Sequence, residues 1–146
     1  MKIKLIESWF NEEDGVSYAK INTDFGEFEG WSQLHEEDKS ISSTFAGCQY
    51  AETKAILKYM KHRIKILNER IKALEDCQRV IMYKKDYEHN SVENRTIRKQ
   101  IYLLKKQRTD WKERRNSLTF KLIESMNKRE ELINKMTKTK KERGEE

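Results

Sequence analysis

Up to about residue 46 apolar and polar positions alternate in short runs broken by glycines, and beyond that point apolar residues return every three or four positions. The first rhythm is that of strands and the second that of helices. Residues 1–10 place Ile3, Leu5 and Trp9 on one side of an extended strand. Residues 11–15 end in Asp-Gly, the pair a hairpin reversal favours. Alternation resumes over 16–23, where Val16, Tyr18 and Lys20 oppose Ser17, Ala19 and Ile21. Residues 24–27 supply a second turn and 28–34 a further strand, so three or four antiparallel strands are expected. A sheet that small needs another element against its apolar face.

Residues 35–39 form a polar connector, and 40–47, rich in Ser, Thr and Gly, read as a loop that carries Phe45. A first helix is predicted over 48–85. Leu57, Met60, Ile64, Leu67, Ile71, Leu74 and Ile81 follow a heptad rhythm, with Gln78 as the polar interruption. At 1.5 Å per residue that helix spans about 55 Å. Residues 87–90 reverse the chain, and Asn90 through Glu93 offer a capping box for the next helix. The second helix is predicted from 91 to 138, about 70 Å long. Its seam uses Ile97, Ile101, Leu104, Trp111, Leu118, Leu122, Leu132 and Met136, and Arg108, Arg115 and Arg129 stand where apolar residues are expected. Those arginines either pair with acids across an interface or line a wet groove that holds something negative. The charged tail from 137 onward is expected to fray.

The predicted class is therefore α+β. A small N-terminal antiparallel β-sheet, residues 1–46, precedes a long antiparallel, coiled-coil-like two-helix hairpin, residues 47–146, in one integrated domain. At the junction Gly47 and Ala51 permit close approach, Tyr50 offers a stacking face and Lys54 a charge. The same residues equally suit a plain helix start packed on the sheet, and Phe45 equally suits a core plug.

Composition sharpens this picture. The 146 residues are 36% apolar and 38% charged, with no proline. That balance favours long solvated helices over a thick core, so a partner chain is expected to cover much of the apolar stripe. Residues 1–46 carry ten acids against four lysines, whereas 47–146 carry 27 basic groups against 15 acids. An acidic head on a basic body suggests either head-to-body contacts or an anionic ligand on the body. Cys48 and Cys77 are too few for a zinc tetrad and too far apart along one helix for an intrachain disulfide. No apolar run reaches the roughly 18 residues of a membrane span, and no signal-like segment follows Met1, so a soluble intracellular protein is expected.

No phosphate loop, zinc spacing or Ser–His–acid arrangement stands out, and His35, His62 and His89 are scattered. No catalytic residue, metal or cofactor is expected. The one constellation with chemical content surrounds the helix reversal. Lys84, Lys85, Arg95, Arg98, Lys99, Lys105 and Lys106 lie near it, beside Tyr83, Tyr87, Tyr102 and Asn90. Guanidinium groups grip phosphates and aromatic rings stack bases. A closed pocket of this kind suits a nucleotide, and an open groove suits single-stranded nucleic acid. The bland alternative is a solvated coil end with Asn90 as a cap.

Several runs together resemble the phage Thoeris anti-defence family, type one. They are Glu7-Ser8-Trp9-Phe10-Asn11, Leu34-His35-Glu36-Glu37-Asp38, the stretch from Phe45 to Glu52, and Asn90 followed by Arg98-Lys99-Gln100-Ile101-Tyr102. The resemblance covers roughly residues 1–105. It implies an N-terminal antiparallel sheet and two long helices, assembled as homodimers or hexamers. It also implies a sponge rather than an enzyme: a protein that sequesters cyclic ADP-ribose isomers made by bacterial TIR proteins, in the cytoplasm of the infected host. Carried over by position, Asn90, Arg95 and Arg98 would contact ribose and pyrophosphate between protomers, with Tyr50, Met82 or Phe45 against adenine. Some members also hold cyclic di- or trinucleotides, which here would use Thr53 and Lys54. No membrane and no nucleic-acid polymer enters that reading. The alternatives are a basic coiled-coil protein that binds nucleic acid and a structural adaptor.

Overall fold

The computed structural model describes residues 2–33, 44–82, 92–142 and 144. In order these form strands β1 (Ile3–Asn11), β2 (Val16–Thr23) and β3 (Gly26–Gln33), then helices α1 (Thr44–Met82) and α2 (Val92–Glu142). The fold is α+β: a three-stranded antiparallel sheet in the order β1-β2-β3, followed by a long helical hairpin. The strands match the sequence expectation closely. α1 differs at its start, because Thr44–Gly47 is already helical where a loop was expected. The Asn90 capping box lies outside the described residues. By contacts the chain divides into two compact units, residues 1–59 with 116–146, and residues 60–115. No described helix is long and apolar enough to cross a membrane.

In the first unit both reversals use glycine where a side chain would be strained. Gly15 sits at φ 66° and donates its amide to the Asn11 carbonyl at 2.8 Å, closing the β1–β2 turn. Gly26, at φ 100°, opens β3 directly after Asp24-Phe25. Asn11 stiffens the first turn further by accepting the Glu13 amide and donating to Asp14.

Side-chain parity then decides which residues meet α1. On β2, Ser17, Ala19 and Ile21 are buried. Gly30 pairs with Ala19 across the β2–β3 ladder and lies against Ala51 and Ala55 of α1. A Cβ placed on Gly30 would come within 1.9 Å of the Ala51 carbonyl oxygen and 2.6 Å of the Ala55 amide nitrogen. One placed on Gly47 would meet the Ser17 hydroxyl at 2.3 Å. Gly47, Ala51 and Ala55, each four residues apart, thus form a stripe of small residues that takes the Gly30 backbone against Ala51 and Ala55 and the Ser17 side chain against Gly47. Tyr59, four residues further, closes the contact. It is fully buried, packs edge-on against Phe28 at 5.7 Å, and donates its hydroxyl to the Asp24 carboxylate in the β2–β3 turn.

β1 departs from the expected parity. Its register on β2 shifts between Leu5 and Glu7, so that Leu5 pairs with Ile21 but Glu7 pairs with Lys20. This bulge inserts one unpaired residue and turns the following side chains to the other face. Ile3 and Leu5 therefore share the face of Ile21, whereas Trp9 pairs with Tyr18 on the opposite face. The expectation that Trp9 faces with Ile3 and Leu5 is overturned by that single insertion.

The second unit is the antiparallel helical hairpin. Its cross-helix partners move down α1 as they move up α2: Gln78 with Asn94, Glu75 with Lys105, Asn68 with Arg108 and Arg63 with Trp111. Met60, Ile64, Leu67 and Ile71 of α1 and Ile101 and Trp111 of α2 are buried, as the heptad spacing predicts. Leu74, Ile81, Ile97 and Leu104 are half-buried. Further along α2, in the first unit, Leu118 and Leu122 are half-buried and Leu132 is exposed, while the side chain of Met136 lies outside the description.

Candidate anion-binding face

The polar residues in the hairpin seam are structural. Asn94, only 1% exposed, accepts from the Gln78 amide at 3.3 Å, so the polar interruption on α1 is met by an amide on α2. Arg108 donates to the Asn68 side chain at 3.0 Å. It pairs with a neutral amide, neither with an acid nor in an open groove. Arg115 is half-buried and also has a partner; the side chain of Arg129 lies outside the description. Trp111 is flanked by two guanidinium groups, Arg63 at 4.9 Å and Arg114 at 5.2 Å from the ring centroid. Such cation–π contacts account for two more cations without a ligand.

Other cations of α2 face outward. Arg95, Lys99, Tyr102 and Lys106 recur at steps of four, three and four along α2, which keeps them on one helical face. Arg98, one turn from both Arg95 and Tyr102, borders that face and already has a partner. All five are exposed, Tyr102 at 66%. Lys105 stands at its edge, 3.4 Å from Glu75 across the hairpin. Residues 60–115 as a whole carry 17 Lys and Arg against 8 Asp and Glu, a net +9. An exposed ring ringed by cations can stack a planar base and hold phosphate by charge-assisted hydrogen bonds.

The other expected site residues are distributed as follows. Tyr50, Thr53 and Lys54 are half-buried neighbours on α1, in the first unit, where Thr53 and Lys54 follow Tyr50 by three and four residues. Phe45 lies in the first turn of α1 and Met82 is its last residue, but their side chains lie outside the description. Asn90, with Tyr83, Lys84, Lys85 and Tyr87, falls outside the described residues altogether. Arg95 and Arg98 thus lie one turn apart on α2, with Tyr102 one turn beyond Arg98. Tyr102 was grouped with the cations at the reversal but not chosen as a stacking residue, and its exposure is what singles it out.

Asn94 is the structural residue that sequence reasoning passed over. The signal was present: continuing the seam one step back from Ile97 reaches position 94, opposite Gln78. Among the described residues no group of His, Cys, Asp or Glu side chains has the arrangement to hold a metal ion. Both cysteines are free thiols. No protein-family model matches the chain, and no curated protein or solved structure matches it significantly.

Proposed function

We propose that this protein is a nucleotide sponge of the phage Thoeris anti-defence kind. In this reading it captures a cyclic ADP-ribose isomer made by a bacterial TIR protein and holds it uncleaved, in the cytoplasm of the infected host. The observation that carries the reading is the outward face of α2, where Arg95, Arg98, Lys99 and Lys106 are exposed along the helix with Tyr102. Two phosphates gripped by guanidinium groups and one stacked base are the chemistry such a ligand offers. The sequence resemblance supplies the ligand class, places the pocket between protomers of a homodimer or hexamer, and adds Asn90, with Tyr50, Met82 or Phe45 against adenine. Thr53 and Lys54 are the corresponding choice for a second, cyclic di- or trinucleotide site. A sponge requires tight binding without turnover, on the order of −12 kcal/mol for nanomolar affinity.

Calorimetry with cyclic ADP-ribose isomers tests this, followed by denaturation and mass analysis of the released ligand. Nanomolar binding and intact ligand are expected. Charge reversal at Arg95 and Arg98 should weaken capture at least a hundredfold while circular dichroism stays unchanged. Wild-type affinity in that variant rejects the assignment. The net +9 of residues 60–115 also favours a second reading, a nucleic-acid-binding hairpin. Salt separates the two. Polymer binding through six or more phosphates falls roughly a thousandfold between 50 and 200 mM salt, whereas capture of one diphosphate loses far less.

A further inference from the structure

The face of the sheet turned away from α1 bears two adjacent cross-strand rows. Trp9, Tyr18 and Trp31 are direct register partners, and so, two residues along each strand, are Glu7, Lys20 and Glu29. The two indoles lean over the tyrosine between them. Trp9 stacks on Tyr18 at 5.1 Å, Trp31 tilts against it at 4.5 Å, and the indoles meet edge to face at 5.8 Å. Tyr18 is consequently 6% exposed, while Trp9 and Trp31 keep 38% and 47% of their surface in solvent. Lys20 is already paired with Glu27 at 3.0 Å. The rim therefore presents carboxylates around an aromatic platform, and the described strand region, residues 2–33, carries seven acids against three lysines.

That combination disfavours a polyanion and suits guanidinium groups, which lie flat on indole faces while their edges fork to carboxylates. A source of such groups is on the chain itself. We propose that the open aromatic face of the sheet docks onto the outward basic face of α2, around Arg95 and Arg98, in a second copy of this protein. The signs agree, a net −4 on residues 2–33 against +9 on residues 60–115. Because the two surfaces differ, copies can meet reciprocally in a two-fold dimer or head-to-tail in a ring.

Sedimentation of the full chain, without any nucleotide, tests this at 50 and 300 mM salt. Wild-type protein should form a higher assembly that weakens at least tenfold at the higher salt. Glu7→Lys with Glu29→Lys, both at exposed positions, should abolish that assembly, as should Arg95→Glu with Arg98→Glu. Mixing the two double variants should restore association, because each then offers the surface the other needs. Far-UV circular dichroism checks that both variants fold, and Trp31→Ser gives an independent loss of the platform without a change of charge. A wild-type chain with no higher assembly overturns the proposal. So does a sheet variant that assembles like wild type, or a mixture that stays apart. Nucleotide capture draws on the same Arg95 and Arg98, so it is read on the Glu7→Lys, Glu29→Lys variant, which keeps them: if that variant and the wild-type chain both ignore cyclic ADP-ribose, the sponge reading alone is defeated.

Discussion

One helix, α1, is packed by two different chemistries. Before Tyr59 it meets the sheet through Gly47, Ala51 and Ala55, so that strand backbone lies on helix backbone. From Met60 onward it meets α2 through Met60, Ile64, Leu67 and Ile71, long side chains that interdigitate in a heptad seam. At Gly30 the first mode tolerates no added volume, since the opposing atoms are main chain. The second tolerates exchange of shape, provided volume is kept. Conserving hydrophobicity is therefore enough for the hairpin but not for the sheet-bearing half.

Gly30→Val should be the sharpest break. Its new side chain would need the space of the Ala51 carbonyl and the Ala55 amide. A cost of about 4 kcal/mol is expected, above the roughly 1–3 kcal/mol usual for overpacking, because a helix backbone cannot step aside as a side chain can. Thermal unfolding followed by circular dichroism would show it, and a variant melting within a few degrees of wild type would refute the close contact.

Leu67→Ala should cost about 3 kcal/mol through lost burial and the cavity it leaves, while Leu67→Met should cost under about 1.5 kcal/mol. Urea titration of both variants measures that contrast. Equal losses would mean that the seam is as unforgiving as the glycine contact.

Tyr59→Phe keeps the buried ring and removes only the hydroxyl that reaches Asp24. A loss of about 1.5 kcal/mol is expected, the lower end for a hydrogen bond to a charged group. No change in stability would show that the turn needs no such anchor.

The smallest effect is electrostatic. Burial, then the hydrogen bond that Tyr18 donates to the Glu29 carboxylate, raises the Tyr18 hydroxyl above its ordinary value of 10.0. The hydrogen bond and attraction of Glu27 raise Lys20 above 10.5. Both groups hold protons more firmly in the folded chain, so the folded state binds more protons than the unfolded state once pH climbs past these ordinary values. Stability contributed this way is complete below them and is lost as pH rises through the folded values. A mild alkaline decline is expected, shallower in Tyr18→Phe. A variant declining as steeply as wild type would remove Tyr18 from the account.

The strands were legible because alternation and Asp-Gly punctuation are local signals. The hairpin seam was legible because its period persists over many turns. The β1 bulge was not, since nothing about Ile6 marks an extra residue; only pairing with β2 reveals it, and with it the side to which Trp9 turns. Thr44–Gly47 looked like a loop by composition. Gly47 is small because Ser17 lies against it, a tertiary reason invisible in a one-dimensional reading. Gly47 and Ala51 were rightly seen as permitting close approach, and the neighbour they admit is a strand. In the candidate site, Arg95 and Arg98 could be grouped by spacing alone. The exposure of Tyr102 depends on which face of α2 the seam buries, and so needed the fold.

The tryptophans are shared out unevenly: Trp9 and Trp31 stand over Tyr18 on the sheet, and Trp111 lies between Arg63 and Arg114 in the hairpin. Nature has in effect installed two dyes on one molecule. Ring-on-ring coupling gives the sheet cluster its own near-ultraviolet dichroic band, and a chain retaining Trp111 as its sole indole would glow from the hairpin alone. Whether the two halves melt in one step or in succession can thus be watched by colour, with no label attached.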